Sequence, residues 1–227
     1  MDTVSEKIHE QPVISENTAE FDYQPKPVFD FVKRLFDLTA SFVRIMILII
    51  PFIIVSVLIL IDDHGASPIF VQERVGKNGK IFKIYKFRTM CANAEEKLAA
   101  LQEQNEMDGP VFKMKHDPRI TRIGRFLRAF NIDELPQIFN IFLGQMSFVG
   151  PRPALPKEVA QYRPSDKLRL LVVPGLTCYW QTSHDRYSIS FDEWMALDRK
   201  YIQERNILTD IKLILRTYSF LFRKNGY

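Results

Sequence analysis

Residues 45–61 read Ile-Met-Ile-Leu-Ile-Ile-Pro-Phe-Ile-Ile-Val-Ser-Val-Leu-Ile-Leu-Ile, seventeen residues without a charge. That length is at the short end of the roughly 17–25 apolar residues that span a bilayer. Basic residues flank the run on both sides: Lys33, Arg34 and Arg44 before it, with Asp37 among them, and Arg74, Lys77, Lys80, Lys83, Lys86 and Arg88 after it. A spanning helix carries its Lys and Arg excess on one side. Pro51 sits in the middle, where its missing N–H leaves the Ile47 carbonyl without a helical partner and bends the chain. A helix that enters the bilayer, breaks at Pro51 and returns to the same face fits both facts. A plain transmembrane helix with a tolerated proline stays open from the pattern alone, and either version puts the protein on a membrane.

Upstream the character is different. Residues 1–24 carry six acids (Asp2, Glu6, Glu10, Glu16, Glu20, Asp22) against Lys7, a net of −5, so the formal +4 of the whole chain leaves +9 on the remainder. The tail has no aliphatic periodicity and no basic leader pattern, and is expected to be disordered. At 227 residues and 46% hydrophobic, the chain suits one domain with appendages. The expected division is an acidic tail over 1–24, a re-entrant helical hairpin over 25–62 and a cytosolic domain over 63–227. A basic body fits nucleic acid, anionic lipid or phosphorylated small molecules. Cys91 and Cys178 form no disulfide framework, and His9, His64, His116 and His184 have no ligand spacing. A metal would need oxygen ligands, which points to Mg²⁺.

Downstream, Ile69-Phe70-Val71 and Ile81 to Tyr85 flank Lys77-Asn78-Gly79-Lys80, and Asn-Gly supplies the positive φ angles of a type I′ hairpin turn. Lys86 and Arg88, one residue apart on the second strand, face one side and can meet one anion; a solvated edge strand is the bland alternative. A surface helix is expected from Asn93 to about Asn105. Asp117-Pro118 reads as the start of a helix carrying Arg119, Arg122, Arg125 and Arg128, with Ile120, Ile123, Leu127 and Phe130 on a contrasting face. Steps of three residues drift by about 60° each, so only one or two of these arginines reach a single site, and Arg128 is nearest Asp133.

Asn131 to Gly150 follows. Asn131 reads as an N-cap and Glu134 as its capping-box partner, with Leu135, Ile138, Phe139 and Phe142 at helical spacing until Gly144 stops the helix. Asp133 and Glu134 are a candidate catalytic pair, although the same two residues serve equally as a cap. Pro151-Arg152-Pro153 makes a rigid loop that fixes Arg152, whose planar fork suits phosphate oxygens. Pro174-Gly175 is a turn before a strand-like Leu-Thr-Cys-Tyr-Trp-Gln run. Ser183-His184-Asp185 does not make a triad, because consecutive residues cannot form the relay. Residues 191–227 read as helical, with Lys212, Arg216, Arg223 and Lys224 beside apolar positions, as on a membrane-surface helix or a core-packed helix with a charged face. The fold class is mainly α with a small β-hairpin, α+β.

With these residues in view, the chain from about Pro27 to Tyr227 resembles the bacterial sugar transferase family, the monotopic polyprenyl-phosphate phosphoglycosyl transferases, in a short form. The marks are Lys33-Arg34-Leu35-Phe36-Asp37, Gln72-Glu73-Arg74-Val75-Gly76, Tyr85 to Met90, Asp117 to Arg122, Asp133-Glu134-Leu135-Pro136-Gln137, Met146 to Pro153 and Pro174-Gly175-Leu176-Thr177, in that order. The resemblance implies a re-entrant helix broken at Pro51, both ends cytosolic at the bacterial inner membrane, and an active site at the membrane surface. It implies transfer of a phosphosugar from a nucleotide diphosphosugar to a polyprenyl phosphate, with release of a nucleoside monophosphate. By the same resemblance Asp133 is the nucleophile, Glu134 with Asp133 holds Mg²⁺, and Lys86, Arg88, Arg128, Arg152 and Arg186 line the phosphate site. Ile50 stands where the family often has serine, and an extra residue at His184 shifts Arg186. Inner-membrane lipid is an expected partner, nucleic acid is not, and a homo-oligomer stays open. The rival readings are a glycosyltransferase that moves the sugar alone and a scaffold that binds lipid phosphates.

Overall fold

The computed structural model describes residues 23–63, 67–101, 114, 116–183 and 189–222. It is mostly helical, with two small two-stranded sheets and one long apolar helix at its start. That helix, α1 (Pro27–Asp62), has 36 residues, a rise of about 54 Å at 1.5 Å per residue. Among the described residues it is the one helix long and apolar enough to cross a membrane. Its isoleucines turn outward: Ile47, Ile50, Ile53 and Ile61 are each at least 60% exposed. A soluble core helix buries such residues, so α1 is built for an apolar surrounding supplied from outside the chain. Pro51 lies within α1 and does not end it, in contrast to the expected break into two helices.

Polar side chains fasten α1 to the body at both ends. Near the start, Asp30 pairs with Arg205 and Lys33 with Asp210. Arg34 donates from Nη1 to the Ile141 carbonyl and from Nη2 to that of Phe142, each at 2.8 Å. Asp37 accepts from the Phe148 N–H at 3.1 Å. At the far end Asp62 accepts from the Ile123 N–H at 3.0 Å. Between them Phe52 meets Phe87 edge-on at 5.4 Å and Phe139 at 5.8 Å.

The hairpin forms as its residues dictate. β1 (Ile69–Val75) pairs antiparallel with β2 (Ile81–Phe87), from Ile69 opposite Phe87 to Val75 opposite Ile81. Asn78 and Gly79 take the positive φ of the primed turn, at 57° and 78°. After it come α2 (Ala94–Leu101) and α3 (Arg122–Ala129). The expected start of α3 at Asp117-Pro118 is corrected: Thr121 is the cap, its hydroxyl accepting from Gly124 N–H at 2.9 Å. Asp117 instead grips Arg119, which thereby leaves the arginine row. Phe130, expected on the packed face, is exposed and lies 5.0 Å from exposed Phe126.

α4 (Gln137–Phe142), β3 (Ser147–Val149), α5 (Pro156–Val159) and β4 (Gly175–Thr177) complete the central part. The strand-like run after Pro174-Gly175 is therefore only three residues of strand, parallel to β3. Their backbones pass so close that a Cβ on Gly175 would lie 2.0 Å from the Gly150 nitrogen, which excludes any side chain there. α6 (Phe191–Glu204) and α7 (Ile207–Phe222) follow, with Ser190 and Glu193 closing a capping box on α6. The main core joins Phe82 and Ile84, Ile138 and Ile141, Met146 and Phe148, and Tyr201, Ile202 and Leu213. α7 buries Leu213 and exposes Leu208, Ile211 and Leu215 beside Lys212 and Arg216. Arg223 and Lys224 lie outside the described residues.

Candidate active site

The dyad is placed by a short turn. Asn131 takes a left-handed conformation (φ 53°, ψ 25°) and caps nothing with its side chain, and Ile132–Glu134 forms a single 3₁₀ turn. The expected capping box therefore does not form, and α4 begins only after Pro136. Pro136 has no N–H to offer, so the chain makes a tight turn before the helix settles. Ile132 and Leu135 bury inward against Ile59, Phe87 and Leu127. The turn thereby commits its apolar residues to the core and sets Asp133 and Glu134 toward β2.

Asn140 fixes α4 against that strand. Its amide donates to the Lys83 carbonyl at 2.7 Å and its oxygen accepts from Tyr85 N–H at 3.1 Å, so the side chain acts as an extra rung on the free edge of β2. Lys86 follows directly and meets Glu134, Nζ to Oε1, at 2.7 Å. Arg152 approaches the same oxygen at 3.6 Å. Arg128, from the last turn of α3, is held by its Nε donating to the hydroxyl of buried Thr89 at 2.9 Å. Of the four arginines in the row, Arg128 is the one the structure brings beside Asp133, while Arg122 and Arg125 face solvent.

Lys86, Arg128, Asp133 and Arg152 wall a cavity of about 310 Å³ that also includes Arg74, Arg88, Arg119 and Arg169. Arg88 lines it, but its Nε donates to the Ser67 carbonyl at 2.7 Å and its guanidinium lies over Phe70. Arg186, with His184 and Asp185, lies outside the described residues. Three residues with no role assigned from sequence contribute. Arg74, buried, donates to Gln72 at 2.7 Å and to the Pro153 carbonyl at 2.9 Å. Gln137, buried, lines a smaller cavity with Glu134 and Arg152. Arg169 is buried behind the Arg152 loop. Arg74 sits in a quoted motif, and a lone arginine inside the apolar run 168–173 was the available signal for Arg169.

Electrostatics divides the dyad. Burial raises both carboxyls, but Lys86 and then Arg152 overcome it at Glu134 and hold it at about 2. Asp133 has no described hydrogen-bond partner; burial, then the charge of Glu134, push it up to about 6 against Lys86, Arg128 and Arg152. Burial also lowers Lys86 and Arg74, the latter to about 10. The arrangement offers one neutralised carboxylate, one carboxylate free to react near neutral pH, and a ring of cations.

No group of three or more acidic, His or Cys side chains gathers among the described residues. Two carboxylates still suffice for Mg²⁺, which keeps several waters and takes phosphate oxygens as ligands. Both cations on Glu134 meet Oε1, which leaves Oε2 for a metal.

The family described as bacterial sugar transferase matches residues 28–224. The galactosyl transferase CpsE of Streptococcus agalactiae serotype III (strain NEM316) is 43% identical over 194 residues, covering 86% of this chain and 43% of its own. The undecaprenyl-phosphate galactose phosphotransferase of Salmonella typhimurium is 37% identical over 201 residues, covering 86% and 41%. The exopolysaccharide production protein ExoY of Rhizobium meliloti is 35% identical over 196 residues, covering 85% and 86%. The chain thus spans less than half the length of the first two relatives and most of the length of the third.

Proposed function

The chain belongs to the bacterial sugar transferase family, and from that premise we propose that it transfers a phosphosugar from a nucleotide diphosphosugar to a polyprenyl phosphate at a membrane surface. The observation that carries this reading is the split dyad: Glu134 is neutralised by Lys86 at 2.7 Å, while Asp133, one residue away, is paired with nothing described and faces a cavity ringed by cations. Adjacent carboxylates with one held and one open suit nucleophilic catalysis better than acid–base exchange between them.

In the first half-reaction the Asp133 carboxylate attacks the sugar-bearing phosphorus. The bond from that phosphorus to the bridging oxygen breaks, and the nucleoside monophosphate leaves with the bridging oxygen and the electron pair. An oxygen of the polyprenyl phosphate then attacks the same phosphorus and displaces Asp133 as a carboxylate. Lys86, Arg128 and Arg152 spread the charge of the transferring group. Mg²⁺, held by Glu134 and Asp133 with the donor phosphates, would neutralise charge on the leaving nucleotide. A sugar-only transfer has no need of a carboxylate nucleophile beside a cation ring, and it would leave a nucleoside diphosphate.

Support for the re-entrant course comes from the two ends of α1. Lys33, Arg34 and Asp37 bond the body at one end and Asp62 at the other. A helix across a bilayer has its ends on opposite sides of about 30 Å of hydrocarbon. One water-facing body then could not bond both. We place that body on the cytosolic face of the inner membrane, where nucleotide sugars and Mg²⁺ are found.

The decisive measurement uses the purified chain in nanodiscs with undecaprenyl phosphate, Mg²⁺ and a panel of UDP-galactose, UDP-glucose and UDP-N-acetylgalactosamine. UMP release with formation of a lipid diphosphosugar is expected. UDP as the product would overturn phosphosugar transfer.

A further inference from the structure

The loop that carries Arg152 has no regular structure of its own, yet each of four consecutive carbonyls in it accepts a bond from elsewhere in the fold, two of them from β1. The Pro151 carbonyl accepts from Gly175 N–H at 2.9 Å and that of Ala154 from Val75 N–H at 2.9 Å. The two between them accept from arginine side chains: Pro153 from Arg74 Nη1 at 2.9 Å and Arg152 from Arg169 Nη2 at 2.8 Å. Prolines on either side of Arg152 remove the local N–H groups that would otherwise order the segment, so the guanidinium groups hold it in their place.

Arg169 is in turn held from behind. Its Nη1 donates to the Tyr162 hydroxyl at 2.7 Å, its Nη2 lies 2.9 Å from Asp198 of α6, and its guanidinium sits over the Tyr162 and Trp194 rings at 5.7 and 5.2 Å. Asp198 is only 2% exposed and is not part of the cavity wall. Burying such a pair costs desolvation that its attraction does not reliably return, so stability alone does not explain its presence. The contact is an ion pair without hydrogen-bond geometry, and a buried carboxylate at that distance holds the arginine in place as a donor to one chosen carbonyl.

We propose that Asp198 and Arg169 are positioning residues for Arg152, setting its backbone so that its guanidinium meets the donor phosphates beside Glu134. The inference rests on the phosphosugar-transfer reading. A displacement of about 1 Å at such a group can cost about 10²-fold in rate.

The test measures kcat/KM for the donor, using the UDP-sugar of the panel that wild type turns over fastest, together with thermal unfolding. D198N, R152A and the double variant are compared as a cycle. D198N is expected to lower kcat/KM about 10²-fold with its folding transition kept, and to add little on the R152A background, because the group it positions is already gone. A wild-type rate in D198N overturns the proposal, as does an undiminished D198N effect in the double variant, which would mean that Arg169 acts on substrate directly or through another element. Should D198N fail to fold, R169K decides: its ammonium can answer Asp198 but lacks the second arm for the Arg152 carbonyl, and the same loss and the same non-additivity with R152A are required. A wild-type enzyme that releases no UMP would defeat the functional reading itself, a result separate from either variant.

Discussion

α1 turns isoleucines outward, whereas the cavity turns arginines inward. Each reverses the ordinary placement of its residue type, and the two reversals differ in how the protein stabilises them. On α1 Ile47, Ile50 and Ile53 stay exposed among the described residues, while polar pairs fasten the ends and Phe52 packs between them. In the cavity nearly every cation has a named partner: Lys86 has Glu134, Arg128 has Thr89, Arg74 has Gln72 and Arg169 has Asp198. An apolar face can be left to the solvent it is made for, but a charge in a wall must be satisfied before the ligand arrives. Asp133 is the exception within the cavity, and it is the group to which the reaction is assigned.

The sharpest way to break this contrast is to remove that exception. Asp133→Asn keeps the shape of the side chain and removes its charge, so UMP release should fall by about 10³-fold or more. Because the carboxyl is raised from 3.8 to about 6 in the folded state, its effect on stability has a definite sign. The folded protein holds this proton more firmly than the unfolded chain, so the contribution is favourable at low pH and is lost as pH rises through about 6. Asp133→Asn should therefore unfold at higher temperature than wild type at pH 8, by up to about 3 kcal/mol, and the gain should shrink at pH 4. Calorimetry at the two pH values checks this.

Charging the other region tests the opposite reversal. Ile53 is 60% exposed on α1; lysine there would be harmless in water but costs about 2.5–3.5 kcal/mol near the centre of a bilayer. Vesicle sedimentation should show membrane binding weakened about 10²-fold, and equal binding would mean that α1 does not enter lipid. A smaller effect is expected from pH. Donor kcat/KM in wild type should rise tenfold per unit below about pH 6 and level off above it, as Asp133 loses its proton. A flat profile from pH 5 to 8 would remove the raised carboxyl from the mechanism. The smallest change is Thr89→Val, which strips the hydroxyl from Arg128 Nε. Loss of one charge-assisted bond is worth about 1.5 kcal/mol, or about tenfold in kcat/KM, with Lys86 and Arg152 left in place.

The legible parts were those set by local chemistry. The helix of the apolar run, though not its break at Pro51, the Asn78-Gly79 hairpin and the glycine stop at Gly144 each depend on a few neighbouring residues and appear as expected. The dyad, Lys86, Arg128 and Arg152 were named from spacing and resemblance, and all four elements carrying them converge on one cavity. What sequence misjudged were helix starts, because one local and one tertiary ion pair took the place of the expected caps. Asp117 accepts from both the N–H and the guanidinium of Arg119, and Glu134 meets Lys86 and not Asn131. The roles of Arg169 and Thr89 were not legible, since their partners lie 17 and 39 positions away in sequence.

Arg34 gives α1 a meaning beyond attachment. Its two nitrogens take up the Ile141 and Phe142 carbonyls at the end of α4, carbonyls that a six-residue helix cannot satisfy internally. α1 is therefore a missing piece of the domain that follows it. A truncation beginning after Asp63, the obvious route to a soluble crystallisable enzyme, would uncap α4 and loosen Asn140 from β2, so the way to a tractable protein lies in supplying lipid and not in removing α1.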